Sequence, residues 1–144
     1  MHILQFCINK CYNCSMKNNN KKLTPSNEDY LEAILILEKQ GEKIKSVEVA
    51  KMLKVSRPGV NKAMNVLKDN GLIEKDAYSD INLTDKGRMA AEKVYARHQL
   101  IYRFLRLLGV SKEVAETDCC KIEHTLSEET VNRIKDFCNK KYGD

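Results

Sequence analysis

No apolar run in this chain of 144 residues is long enough to cross a bilayer. The longest runs, such as Ala33 to Leu37, fall far short of the roughly 20 residues that a membrane-spanning helix needs. The beginning of the sequence also lacks a basic segment followed by an apolar core, which excludes an ordinary secretory signal. We therefore expect a cytoplasmic protein that has no association with membranes.

Disulfide bonds are not expected, although the chain contains six cysteines. Thiols stay reduced in a cytoplasmic compartment, where they can bind metal ions instead. Cys7, Cys11 and Cys14 have a spacing similar to the cluster-binding motif of radical S-adenosylmethionine enzymes. Such enzymes need a large barrel after the motif, and the remaining residues predict another fold, so we expect no enzymatic activity. We interpret residues 1–22 as a disordered tail or as the result of a misplaced start.

Proline is scarce, with only two residues in the chain. One of them, Pro25, follows Thr24 in a combination typical of a helix start, and apolar residues continue at helical spacing towards Gly41. No proline occurs from Asp85 to Leu108, where the apolar spacing predicts one helix of roughly six turns. Two shorter helices are predicted after it, so the chain is expected to be mainly α.

A helix-turn-helix is predicted between these two helical segments. Its first helix should cover Val47–Leu53 after Ser46, and its second helix should follow Ser56 and end near Asn70. Gly71 ends the second helix, and the two short apolar segments beyond it predict a pair of strands. The pattern is typical of a winged helix-turn-helix.

The second helix of this unit has the composition of a DNA-recognition helix. Residues 42–75 include eight basic and four acidic side chains, an excess that favours an anionic partner. Arg57 and Asn61 are the expected readers of base edges, because the first turn of a recognition helix enters the major groove. The predicted DNA-binding residues are Ser56, Arg57, Pro58, Gly59, Asn61, Lys62, Lys68 and Lys75. The alternative is a solvated basic face, which an affinity independent of salt would favour.

Three residues near the carboxyl end have the chemistry of a metal site. Cys120, Glu123 and His124 are spaced so that, on a helix, a thiol, a carboxylate and an imidazole share one face. Asp29 and Glu32 are spaced in the same way on the first helix, where two acidic groups beside an apolar stripe would repel each other without a cation. The three types of donor together favour a transition metal.

His98 lies within the long helix, next to apolar positions. A single histidine in such a place is more often a core residue than a ligand. Ligand-type residues on three predicted helices make a shared metal site the better interpretation.

These segments resemble the diphtheria toxin repressor family of metal-dependent transcriptional regulators, especially its short manganese-regulator branch. The resemblance is carried by Thr24–Glu32, Val55–Val60, Leu83–Gly87, Arg97–His98 and Ile122–Ser127. It implies a winged helix-turn-helix over residues 23–84 and a helical dimerisation and metal-binding domain over residues 85–144. It also implies a homodimer that represses metal-uptake genes at a palindromic DNA operator when Fe(II) or Mn(II) is bound.

The resemblance assigns the metal ligands as well. Five positions match ligands of the manganese branch: Asp29, Glu32, His98, Glu123 and His124. Cys120 departs from that branch, which has glutamate there, and matches the cysteine of the iron regulators. Thiolate disfavours Mn(II) and carboxylates favour Mn(II) or Fe(II), so Fe(II) is expected first, Mn(II) next, and Zn(II), Co(II) or Ni(II) after them.

Two other functions remain open from the sequence. A winged-helix regulator that senses an organic ligand would bind DNA in the presence of chelator. A metal-trafficking protein would not bind DNA at all.

Overall fold

The computed structural model describes residues 23–41, 43–75 and 80–142, and the predicted tail with its three cysteines lies outside these ranges. The helices in these ranges are α1 (Pro25–Lys39), α2 (Ser46–Leu53), α3 (Arg57–Asp69), α4 (Asp85–Leu107), α5 (Lys112–Ile122) and α6 (Glu128–Tyr142). The short strands β1 (Ile73–Glu74) and β2 (Asn82–Leu83) pair antiparallel. The predicted fold class, mainly α with a small β-wing, is confirmed.

Two compact units divide within α4, between Val94 and Tyr95. In the first unit, α1 packs against α2 and α3. Every residue of α1 from Tyr30 to Leu37 is buried, so this helix is the centre of the core around which the helix-turn-helix is built. None of the helices in the described ranges is both long and apolar enough to span a bilayer.

Local capping sets the ends of α1 and α3 as the sequence predicts. The Thr24 hydroxyl accepts a hydrogen bond from the backbone of Asn27 at 3.3 Å, and the Ser56 hydroxyl accepts one from Gly59 at 3.3 Å. The prediction for α2 is wrong by one residue, because Ser46 is its first residue and does not precede it. The Ser46 hydroxyl instead accepts a hydrogen bond from Nζ of Lys75 at 2.7 Å.

The junction between the wing and α4 depends on Thr84 and Gly87. The Thr84 backbone N–H donates to the carbonyl oxygen of Leu72 at 3.1 Å, and its hydroxyl donates to that of Gly71 at 2.7 Å. The same hydroxyl accepts a hydrogen bond from the Gly87 backbone at 3.0 Å. A Cβ atom on Gly87 would lie only 1.7 Å from the Leu72 carbonyl oxygen, so no other residue fits without movement of the backbone.

A bidentate ion pair joins α1 to the first part of α4. Arg88 donates through Nη1 to Oε2 of Glu38 at 2.5 Å and through Nη2 to Oε1 at 2.7 Å. These hydrogen bonds hold the pKa of Glu38 below its ordinary value. A lowered carboxyl pKa stabilises the fold above about pH 4, and this contribution is lost as the pH falls further.

We therefore expect Glu38→Gln to lower the melting temperature at pH 7 by more than it does at pH 3. Thermal denaturation of the variant and the wild type at both pH values measures the difference. Both side chains are partly exposed to solvent, so the effect should be small. Glu74→Gln, at an exposed position on β1, is the control, and equal shifts at the two pH values for Glu38→Gln would contradict the prediction.

The second unit contains the end of α4 together with α5 and α6. Its core cluster is made of Ile101, Cys119 and Cys120, with partly buried apolar residues packed around them. The rings of Phe104 and Phe137 meet edge to face, with centroids 5.7 Å apart. The last helix begins just after Ser127, whose hydroxyl accepts a hydrogen bond from the backbone of Thr130 at 3.2 Å.

Candidate metal centre

The predicted metal ligands are distributed over both units. Asp29 and Glu32 lie on α1, where Asp29 is half-buried and Glu32 is 2% exposed. In the second unit, His98 lies on α4 and Cys120 on α5, and both are buried. Glu123 and His124 follow at the end of α5.

The expectation that Cys120, Glu123 and His124 share one continuous helix needs correction. α5 ends at Ile122, Glu123 is the residue that caps it, and His124 lies in the turn that follows. Glu123 still has helical backbone angles, and its backbone N–H donates to the carbonyl oxygen of Cys119 at 3.0 Å. The helical spacing therefore holds as far as Glu123, and the turn sets the position of His124.

Glu123 is the centre of the cluster in the second unit. Its side chain is 2% exposed, with Oε2 at 3.1 Å from Nδ1 of His98 and Oε1 at 3.3 Å from Nε2 of His124. One buried carboxylate thus faces two imidazoles. Carboxylate oxygen and imidazole nitrogen are both common ligands of divalent transition metals.

Two thiols lie beside the same imidazole. The sulfur of Cys120 is 3.9 Å from Nδ1 of His98, and the sulfur of Cys119 is 3.5 Å from Nε2. Both cysteines are buried, and neither forms a disulfide. Cys119 is not among the ligands predicted from the sequence, and the one signal for it in the sequence is its position beside Cys120.

Arg97 holds the turn that carries Glu123 and His124, a role that sequence reasoning missed. Its guanidinium donates through Nη1 to the backbone carbonyl oxygen of Glu123 at 3.2 Å. Carbonyl groups at the end of a helix lack partners within the helix, and a basic side chain can satisfy them. Arg97 therefore fixes the main chain of Glu123. The side chain of Glu123 faces His98, the residue that follows Arg97 in the sequence.

The second unit's donor set suits a divalent transition metal. His98, Cys120 and Glu123 are all at most 4% exposed, and His124 is partly buried. Burying a carboxylate with ionisable neighbours is costly unless its charge is compensated, and a divalent cation would supply that compensation. Nitrogen, oxygen and sulfur donors together fit an ion of borderline softness such as Fe(II).

The predicted DNA-binding residues lie in the first unit, around the start of α3 and the wing. Those exposed to solvent are Ser56, Arg57, Pro58, Asn61, Lys62 and Lys68, and Gly59 and Lys75 are partly buried. Nζ of Lys68 donates to the backbone carbonyl oxygen of Lys75 at 2.7 Å. Burial lowers the pKa of Lys75, and the charge of Lys68 lowers it further. These two lysines therefore have contacts within the protein that tie the wing to α2 and α3.

Two models of one protein family match the chain. Residues 22–81 match the N-terminal DNA-binding domain of iron-dependent repressors, and residues 84–141 match their metal-binding and dimerisation domain. A helix-turn-helix transcriptional regulator of Methanocaldococcus jannaschii is 36% identical over 120 residues, which cover 82% of this chain and 96% of the relative. The transcriptional regulator MntR of Geobacillus kaustophilus is 37% identical over 114 residues, covering 79% of this chain and 81% of the relative.

The fold is also similar to a solved structure of the manganese regulator SloR. The TM-score is 0.71 at 34% identity, and the match covers 81% of this chain. It covers 55% of the SloR chain, so the present chain spans just over half the length of that protein. The family predicted from the sequence is confirmed, and the chain belongs to the diphtheria toxin repressor family of metal-dependent transcriptional regulators.

Proposed function

We propose that the protein is a metal-activated repressor that binds a palindromic DNA operator as a homodimer and controls genes of metal uptake. The proposal depends mainly on one observation, the buried cluster of His98, Cys120 and Glu123 with His124 beside it. A chain that combines such a cluster with an exposed basic recognition helix has the parts of a metal-responsive switch. Family membership supports the same function.

In this proposal, Asp29 and Glu32 complete the ligand set from α1. Their support is the helical spacing of the two acids and the burial of Glu32, which is 2% exposed. Without metal, these acids and Glu123 would repel one another. A divalent ion removes the repulsion, links α1 to the second unit and so fixes the spacing of the two recognition helices of a dimer.

The size of the switch follows from ordinary coupling energies. A coupling of about 1–3 kcal/mol changes DNA affinity by about 5- to 150-fold, which is enough to control transcription. The coupling is reciprocal, so DNA must tighten metal binding by the same factor.

Fe(II) is the proposed activating ion, and Mn(II) is the next candidate. The family models are named for iron, whereas solved relatives such as SloR are named for manganese, so the names of the relatives favour Mn(II) and the choice of Fe(II) depends on Cys120. The thiol of Cys120 disfavours Mn(II), while the proposed carboxylates accept either ion. Protein isolated from cells grown with balanced metals should carry mostly iron, and a large excess of bound manganese would contradict this choice.

The central experiment is a mobility shift on the protein's own promoter with Fe(II), Mn(II), Zn(II) or chelator. We expect DNA binding with the activating ion and its loss with chelator. A regulator that senses an organic ligand would bind DNA in the presence of chelator. A metal-trafficking protein would bind DNA under none of these conditions. Either result would replace the proposed function.

Arg57 and Lys62 should affect DNA binding in different ways. Arg57→Ala should cost about 1–3 kcal/mol at the operator and relax sequence preference, because it is the proposed reader of a base edge. Lys62→Ala should weaken binding to all sequences and reduce the salt slope by about one unit, as expected for a phosphate contact. Fluorescence anisotropy at several salt concentrations, with operator and random DNA, separates the two effects. Lys112→Ala, an exposed lysine on α5, is the matched control and should change neither quantity.

A further inference from the structure

Cys119 is a buried thiol that the proposed regulatory site does not use. Its sulfur lies 3.5 Å from Nε2 of His98, whereas Glu123 lies by the other ring nitrogen, Nδ1. The residue is 0% exposed, and its neighbour Cys120 is 4% exposed. We propose that Cys119, Cys120 and His98 form a sulfur-rich site for a thiophilic divalent ion of the zinc class, such as Zn(II) or Cd(II).

The distances suit a single ion. One ligand atom from each of the three residues lies within 4.8 Å of the other two. Zinc binds sulfur at about 2.3 Å and nitrogen at about 2.0 Å, so one ion joins a sulfur and a nitrogen that are about 4.3 Å apart or less. The pair of Cys119 sulfur and Nε2, at 3.5 Å, already meets that condition. On binding, each thiol releases its proton to solvent and ligates the ion as thiolate.

Glu123 would orient the imidazole in this arrangement. When the ion takes Nε2, the nitrogen nearest to Cys119, the protonated Nδ1 can donate to Oε2 of Glu123, which is 3.1 Å away. A carboxylate that accepts a hydrogen bond from a metal-bound histidine fixes its tautomer and ring orientation. The Cys120 sulfur contacts Nδ1 at 3.9 Å, so it would have to turn toward Nε2 to bind the same ion as Cys119.

Two thiolate ligands give this site a different metal-ion preference from that of the proposed regulatory site. Thiolates select zinc-class ions over Mn(II), while carboxylates do the reverse. The two sites share Cys120 and His98, so an ion held by Cys119 withholds two of the six proposed regulatory ligands. This last consequence depends on the proposed function, whereas the sulfur-rich site itself does not.

The test counts the sulfur atoms around a bound ion in the full chain. Serine replaces Cys7, Cys11 and Cys14, so that the only remaining cysteines are Cys119, Cys120 and Cys138. Cd(II) is added without DNA, and X-ray absorption and the sulfur-to-cadmium charge-transfer band are recorded. We expect two sulfurs per ion.

Two matched variants in the same background identify the donors. Cys119→Ser should reduce the count from two sulfurs to one. It should also weaken Cd(II) binding by at least about 10- to 100-fold, because removal of a group that only orients a ligand already costs that much. Cys138→Ser removes an equally buried thiol that lies on α6 and should change neither quantity.

One sulfur or none per ion in the parent protein would overturn the proposal, as would a Cys119→Ser variant that behaves like Cys138→Ser. If Cys119→Ser fails to fold, as judged by circular dichroism, the sulfur count in the parent protein decides alone. The proposed function is tested separately by Fe(II)- or Mn(II)-stimulated DNA binding, which Cys119→Ser should retain. The two proposals can therefore fail independently.

Discussion

Replacement of His124 by alanine is expected to abolish the metal-stimulated part of DNA binding and to leave the fold intact. Nε2 of His124 lies 3.3 Å from Oε1 of Glu123, so the variant would lose one proposed ligand of the regulatory ion. The residue lies in a turn and is only partly buried, so its truncation should leave no large core cavity. The whole coupling, about 5- to 150-fold in affinity, should disappear.

Fluorescence anisotropy with operator DNA, in the presence of Fe(II), Mn(II) or chelator, measures this effect. Lys121→Ala is the control, because Lys121 is exposed on α5 and only forms a surface ion pair with Asp118. Thermal denaturation of both variants in chelator should show unchanged stability. Metal stimulation that survives in His124→Ala would remove this residue from the ligand set, and a large loss of stability would mean that it has a structural role.

Gly87→Ala is expected to destabilise the first unit strongly. The added methyl group would lie 1.7 Å from the carbonyl oxygen of Leu72, and that oxygen is held by a hydrogen bond from the Thr84 backbone. Neither partner is the end of a flexible side chain, so the backbone itself must move. Overpacking of this kind costs at least about 1–3 kcal/mol.

Urea denaturation, followed by circular dichroism, measures the free energy of unfolding of this variant. Gly59→Ala is the matched control, because Gly59 is also helical and its added methyl group would meet the Ser56 hydroxyl at 3.2 Å. Rotation of the hydroxyl would weaken the cap of α3 by about 1 kcal/mol, and alanine is favoured over glycine in a helix by a similar amount, so the control should change stability by less than about 1 kcal/mol. An unfolding free energy for Gly87→Ala within about 0.5 kcal/mol of the wild type would contradict the described junction.

Helix ends that depend on neighbouring residues could be predicted from the sequence. The caps at Thr24 and Ser56 bond to residues three positions away, and the long helix ends at Leu107, one residue before the end of the span that the sequence predicts. The sequence predicts Ser46 just before α2, but its hydroxyl does not cap that helix. It accepts a hydrogen bond from Lys75, which lies 29 positions further along the chain. No local pattern contains that information.

The candidate metal centre was predictable in its residue types and less so in its arrangement. Helical spacing correctly grouped Cys120 with Glu123, since both face His98. The contact of Cys119 with His98 joins residues 21 positions apart, and that of Arg97 with Glu123 joins residues 26 apart. Both depend on how α5 packs on α4, which periodicity within one helix does not determine.

Two adjacent residues, Arg97 and His98, both contact Glu123. Arg97 donates to its backbone carbonyl oxygen, and His98 faces its side-chain carboxylate. Each added residue turns a helix by about 100°. A one-residue insertion in α4 between this pair and Ile101, against which Cys119 and Cys120 pack, would therefore turn both side chains away from Glu123 together. Glu123 would then lose its main-chain hydrogen bond and its side-chain neighbour in a single event. Insertions and deletions at this point of α4 should accordingly be tolerated less than substitutions of its exposed side chains.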